Sequence, residues 1–347
     1  MIEAGGLSSG ITPLRYRVLV VTNLWPTESD PSYGSFVQAQ MESLRPLGVE
    51  FDVLFIDGRK SKWNYARAAP AMWRRLRKNR YDLIHAHFGW SGWVARCQWS
   101  VPVLVSFMGD DVLGRFKLNG RLSLSGLFFR VSSFALARMA PAVIVKSRQM
   151  KTALRLNSAR VIPNGVDLAL FRPMDQREAR IALGLDVAKK LVIFPFDPAI
   201  ENKRHDLIAA AVERARKLVP ELEILYVRGV PRPRMPLYLN AADVLVLASL
   251  SEGSPNIIKE AMAVNLPVVT VDVGDAADLI GPTEGCFLAP REMEALAAKI
   301  VEICQRGART RGREWIARLS SENVARQIVE VYGGVLARRT PALPRKS

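Results

Sequence analysis

The feature that most constrains this chain is a repeated alternation of short, wholly apolar runs with segments of helical spacing. Arg17–Thr22 (RVLVVT) reads as a buried strand. Glu50–Ile56, Leu83–Ala86, Val103–Phe107 and Ala142–Val145 follow it, with helical patterns such as Phe36–Leu47 between them. Runs of this kind belong to parallel sheets covered by helices on both faces. From Pro163 to Asp175 the stretch PNGVDLALFRPMD breaks the pattern with two prolines and an Asn-Gly turn signal, as an inter-domain connection does. The alternation then restarts at Leu191–Phe194, Glu223–Val227, Val244–Ala248 and Pro267–Thr270, with helical stretches at 204–217, 255–264 and 291–305. The prediction is an α/β chain of two doubly wound domains. Such sheets bind ligands outside the carboxyl ends of their strands, so two facing domains place the site in the cleft between them.

A length of 347 residues accommodates two domains, and 49% hydrophobic with 24% charged residues is ordinary for a globular protein. Cys97, Cys286 and Cys304 are too few and too scattered for a disulfide framework or a metal site, which fits a reducing, cytoplasmic setting. The first residues, MIEAGGLSSGITPL, lack the regions of a signal peptide. Residues 121–145 are apolar, but Arg121, Arg130 and Arg138 interrupt them, so no membrane span is expected.

The formal net charge of +16 calls for an anionic partner: nucleic acid, a phospholipid surface or phosphate-bearing ligands. Nine basic residues and no acidic one lie between Arg59 and Arg80, interleaved with Trp63, Tyr65, Met72, Trp73 and Leu76. Two readings stand for this segment, an interfacial contact with an anionic membrane or a solvated helix face with its aromatics packed inward.

The segment Ala248–Ala263, ASLSEGSPNIIKEAMA, is the richest in chemistry. Ser254-Pro255 predicts a helix start with serine as N-cap and proline at the first helical position. The amides of Asn256 and Ile257 would then point out of a helix end that carries partial positive charge and suits a phosphate or sugar hydroxyl. Glu252 precedes that start, and Glu260 lies roughly 7 Å into the helix. Carboxylates accept hydrogen bonds from the hydroxyl pairs of sugars and riboses, although a plain helix start with acidic neighbours has the same spacing.

Seven residues separate Glu252 from Glu260, and EGSPNIIKEAMA resembles the E-x7-E signature of retaining GT-B glycosyltransferases, glycosyltransferase family 4. Other segments resemble that family in order: YDLIHAHFGWSG (81–92), VIPNGVDLALFRP (161–173), MPLYLNAADVLVLASLSEG (235–253) and SSENVARQIVEVYGGVL (320–336). NLWPTESDPSYGSFVQAQ resembles members that build exopolysaccharide, capsule or teichuronic-type polymers.

The resemblance implies a GT-B fold with Rossmann-like domains at 13–172 and 173–315 and a C-terminal helix, 316–340, crossing back to the first. It implies a metal-independent hexosyltransferase that moves sugar from a nucleoside diphosphate sugar to a lipid-linked or polymer acceptor, in the cytoplasm at the inner face of the plasma membrane. Glu260 would accept the ribose hydroxyls, Glu252 would contact the donor sugar, and Gly253, Ser254, Pro255, Asn256 and Ile257 would hold phosphate or sugar oxygens. Lys203 would neutralise the leaving diphosphate, where fixed positive charge lowers the barrier most. Gly34 and Ser35 would approach from the other domain, and the base would lie near Arg228–Pro231, against Val230. Two positions depart from the family pattern: SFMGDD has Met108 where a histidine is usual, and no arginine precedes Lys203, only Arg204 following it, which would then contact the donor.

Other candidates rest on position alone. His85 and His87 share a strand face, and His87, nearer the carboxyl end, is the candidate for the cleft, although backbone can satisfy a strand-end histidine as well. Asp110-Asp111 reads as the acidic start of a helix after Gly109 rather than a metal pair. Ser147, with Lys146 and Arg148, follows the fifth strand. The glycines of GLSSG (6–10) follow no strand and make no dinucleotide fingerprint. Competing functions are a sugar-nucleotide epimerase on the same scaffold, a non-catalytic partner of another transferase, and a nucleic-acid-binding protein, for which a reader motif is lacking.

Overall fold

The computed structural model describes residues 15–114 and 121–338. The GLSSG glycines, the expected domain limits at 13 and 340, and the basic tail past Arg338 lie outside the described residues. The first half runs β1 (Tyr16–Thr22), α1 (Ser35–Glu42), β2 (Val49–Phe55), α2 (Trp63–Lys78), β3 (Leu83–His87), α3 (Gly89–Ala95), β4 (Val103–Ser106), α4 (Asp110–Leu113), α5 (Leu124–Met139), β5 (Ala142–Val145), α6 (Arg148–Leu154) and β6 (Arg160–Val161). The second runs α7 (Gln176–Leu183), β7 (Lys190–Phe194), α8 (His205–Arg216), β8 (Leu222–Tyr226), α9 (Met235–Ala241), β9 (Val244–Leu247), α10 (Asn256–Ala263), β10 (Val268–Thr270), α11 (Ala276–Ile280), β11 (Phe287–Leu288), α12 (Met293–Arg306) and α13 (Gly312–Ile316). Last comes α14 (Ser321–Ala337).

The strands form two parallel sheets, ordered β2-β1-β3-β4-β5-β6 and β11-β10-β9-β7-β8. In the first, the chain moves one way from β1 to β2 and the opposite way thereafter. Right-handed crossovers therefore put α1 on one face and α2, α3, α5 and α6 on the other. The strand residues divide with period two to match. Leu19, Val21, Ile84, Ala86 and Val105 pack with Met72 of α2, Ala95 of α3, Leu136 of α5 and Met150 of α6. Val18, Val20, Leu83 and Leu104 face the other way, with Met41 of α1. One helix cannot cover that second face. The crossing helix α14 completes it with Val324, Ile328 and Tyr332, and the Tyr332 hydroxyl meets His85 Nδ1 at 2.8 Å.

The expected crossover start at residue 316 shifts later: Ile316 is buried in the second domain's core, and the helix begins at Ser321. The PNGVD connection is held at both ends. Val166 bridges to Ser320, and a Cβ on Gly165 would lie 2.7 Å from the Ser321 Cα, so glycine permits the close pass. The Arg313 guanidinium donates to the Phe171, Leu168 and Ala263 carbonyls, tying the connection to the second domain.

Candidate functional site

Both sheets reverse their strand order once, between β1 and β3 and between β7 and β9. Crevices open at such reversals. The loops after β1, β7 and β9 converge there on a cavity of about 400 Å³ between the domains.

The loop after β7 carries Lys203 and the loop after β9 carries Glu252. Asn202 stitches the two loops together: its side-chain amide donates to the Ser251 carbonyl at 2.9 Å, and its side-chain oxygen accepts the Ser251 amide at 3.1 Å. That stitching sets Lys203 Nζ 2.5 Å from Glu252 Oε1, with Nζ also 4.2 Å from the centre of the Phe196 ring. Glu260 projects from the second turn of α10 into the same cavity and faces Arg232 at 3.7 Å. Burial raises the Glu260 pKa, and the positive charges of Arg232 and Lys259 partly offset that rise.

The start of α10 differs from its sequence prediction. The helix begins at Asn256, Pro255 is extended (φ −68°, ψ 111°), and no side chain caps the end. Ser254 is turned inward, where its hydroxyl accepts from Lys259 Nζ at 3.0 Å. The physical reason is Lys259, a buried ammonium that needs acceptors and also donates to the Asn164 carbonyl at 2.9 Å. An uncapped helix start leaves its first amides for whatever enters the cavity, which residues 253–257 line together.

The first domain contributes Ser32, Ser35, Phe36 and Met108. The domains meet closely where Gly109 faces Gly253: a Cβ on Gly253 would come within 2.5 Å of the Met108 carbonyl oxygen. Gly34, with φ 69°, packs against the Leu24–Trp25 backbone, where a Cβ would have only 2.2 Å. It shapes the loop that presents Ser35 and does not itself line the cavity.

Of the residues expected from sequence, Lys203, Glu252, Glu260, residues 253–257, Ser35 and Val230 come together. Three do not. His87 is fully buried at the end of β3, its ring 4.1 Å from that of His85, outside the cavity lining. Burial, His85 and Lys146 together push its pKa well down, so it stays neutral behind the wall. Arg204 adopts φ 52° and turns its guanidinium onto Asp206 at 2.8 Å, away from the cavity. Arg228 pairs with Asp197 at 2.8 Å, leaving only Val230 of the expected base-binding stretch in the lining.

Asp111 is explained by local backbone rather than by a metal. Its carboxylate accepts from the amides of Met108, Gly109 and Gly89, and burial raises its pKa to about 6. Sequence reasoning missed Arg232, Lys259 and Asn164. The first carried a signal, a cluster of basic residues just past the carboxyl end of β8. Lys259 carried one too, since it stands among residues that are all apolar from Ile257 to Ala263 except itself and Glu260.

A family model described as Glycosyltransferase Family 4 matches residues 6–170, and one described as Glycosyl transferases group 1 matches 196–306. A Bacillus subtilis protein named for a teichuronic acid biosynthesis glycosyltransferase is 25% identical, over 82% of this chain and 88% of its own. Among solved structures, sucrose-phosphate synthase of Thermosynechococcus elongatus superposes with a TM-score of 0.76 at 22% identity, over 93% of this chain and all of its own. HepE of Anabaena, solved with UDP-glucose, gives 0.67 at 19% identity, over 92% of this chain and all of its own.

Proposed function

We propose, for a chain that belongs to glycosyltransferase family 4 and has the GT-B fold, the transfer of a hexose-type sugar from a nucleoside diphosphate sugar to a lipid-linked or polysaccharide acceptor. One observation carries this reading: Lys203, Arg232, Glu252, Glu260 and the uncapped start of α10 line one cavity between the domains. Across the cavity each cation faces a carboxylate. A diphosphate would draw Lys203 from Glu252 and free that carboxylate for sugar hydroxyls. Ribose hydroxyls would take Glu260 and free Arg232. The donor thus replaces two ion pairs already positioned, rather than ordering four side chains anew.

In this reading the bond from the anomeric carbon to the diphosphate breaks, and the charge it leaves is met by Lys203, by Arg232 and by amides of α10. The acceptor oxygen attacks from the same face of the sugar, its proton passes to a phosphate oxygen, and the anomeric configuration is retained without a protein nucleophile. The cations on the second domain's wall supply the positive charge, so the transfer is metal-independent. That HepE was solved with UDP-glucose supports a nucleotide sugar as the donor class. The name of the Bacillus relative supports a cell-envelope polymer as the product. The enzyme acts in the cytoplasm, at the membrane face that displays a lipid-linked acceptor.

The test is a thermal-shift series with nucleoside diphosphates and their sugars, where a ligand at about 100 times its Kd adds roughly 2.7 kcal/mol. Product analysis on the stabilising sugar separates transfer from epimerisation. If no nucleoside diphosphate stabilises the wild type, the donor assignment fails.

A further inference from the structure

Within the apolar segment at 121–145, α5 does not bury its apolar side. In α5 the inward face is made by Gly126, Ser133, Leu136 and Ala137, while Leu124, Leu127, Phe128, Val131 and Phe134 are exposed. At 100° per residue those five fall within one arc of the helix, and Leu124 is 89% and Val131 61% accessible. A contiguous apolar stripe of this kind marks an interaction surface.

Its neighbour supplies charge. Helix α3 packs against both α2 and α5, and Trp90 joins them, its ring 5.3 Å from Tyr65 of α2 and 6.0 Å from Phe128 of α5. The two helices therefore look outward on the same side of the first domain. On α2 the inward residues are Tyr65, Ala68 and Met72. Its exposed arc carries Arg67, Arg74, Arg77 and Lys78 with Trp63 and Trp73, and Trp63 is 75% exposed. The aromatics of this segment are thus divided, not all packed inward.

We propose that α5 and α2 together dock on an anionic phospholipid bilayer, α5 entering the acyl boundary and α2 lying among the headgroups. An apolar ridge beside a strip that has four cations and no acidic residue fits that boundary, where apolar surface leaves water while guanidinium and ammonium groups stay with phosphates. Exposed tryptophans suit the headgroup level. A second copy of this chain is the poorer occupant, because its own +16 charge and basic α2 would approach the same strip. The middle of α5 also reaches the interdomain seam: Arg130 shares a groove with Leu250 and Ser251 of the second domain. A docked α5 brings the bilayer to the cleft, where a lipid-linked acceptor is needed. That last consequence rests on the proposed acceptor class; the docking itself does not.

The experiment is co-sedimentation of the full chain with phosphatidylglycerol-containing vesicles and with pure phosphatidylcholine vesicles. Wild type binds the anionic vesicles, and Leu127→Glu/Val131→Glu and Arg67→Glu/Arg74→Glu each weaken binding about tenfold or more. All these positions are exposed, so circular dichroism and donor thermal shift stay at wild-type values. Equal sedimentation of wild type and both variants overturns the inference. So does a wild-type dimer that Leu127→Glu/Val131→Glu converts to monomer, since a second copy then covers the stripe. Vesicle binding without any donor shift leaves the docking surface standing and removes the donor assignment instead.

Discussion

The two walls of the cleft come from sheets of the same kind and carry different chemistry. The second domain presents its charges to the cavity, as Lys203 with Glu252 and Arg232 with Glu260. The first presents Ser32, Ser35, Phe36 and Met108, and keeps its titratable groups behind the wall. His85 is held between Ser106 Oγ and the Tyr332 hydroxyl with its pKa down to about 3, and Lys146 is buried with Gln40 Oε1 at 3.4 Å. Cavity-facing, counter-paired charge can be rearranged by a ligand, whereas charge closed off behind the wall is a fixed cost of the fold. Under the proposed function, donor recognition falls to the charged half, and shape, acceptor approach and surface docking fall to the other.

The sharpest way to break that contrast is to neutralise the charged wall. Lys203→Ala and Glu260→Ala should each lower transfer by about 10²–10³-fold, read as kcat/KM with the donor varied. Unchanged donor binding and turnover in both would place the site elsewhere. Next in size is the seam between the walls. Gly253→Ala puts a methyl group within 2.5 Å of the Met108 carbonyl and must spread the domains, so transfer should fall about 10²-fold while isolated donor binding changes far less.

The buried side should answer in stability instead. Burial, and Lys259 beside it, hold the Lys146 pKa down to about 7 against 10.5 for the free side chain. Between those values the unfolded chain binds a proton that the native chain does not, so wild-type stability rises with pH across that window and is lost as the pH falls towards 7. Lys146→Met should therefore stabilise the protein by about 2 kcal/mol at pH 7, with the gain fading as the pH approaches 10, in thermal unfolding followed at both values. Smallest is Arg232→Ala. Donor binding should weaken about tenfold. The Glu260 pKa, raised by burial and restrained by Arg232, should rise further, moving the acidic limb of the donor-binding profile to higher pH.

Much of this was legible in residue order. Each predicted strand recurs within one or two residues, because runs such as VLVV and VLVL can satisfy their backbone and bury both faces only inside a parallel sheet. The E-x7-E spacing placed both glutamates in one cavity because a loop and one and a half helical turns fix their separation. His87, Arg204 and Ser254 were misplaced for a common reason. Each was located correctly along the chain, but a neighbour two to five residues away claimed its side chain, a competition that spacing does not rank: the His85 ring, the Asp206 carboxylate, the Lys259 ammonium.

Alternation and spacing by themselves determined two parallel α/β halves and a connection at residues 163–175, since periodicity and turn chemistry are local properties; at 252–260 they left a sugar or phosphate grip and a plain helix start equally open. Only the tertiary structure decided that Arg232 faces Glu260, that His85 and His87 are closed off, and that the apolar side of α5 looks outward beside the cations of α2. Those outcomes depend on which faces of the elements find partners, and partners far apart in sequence leave no period for a linear reading to detect.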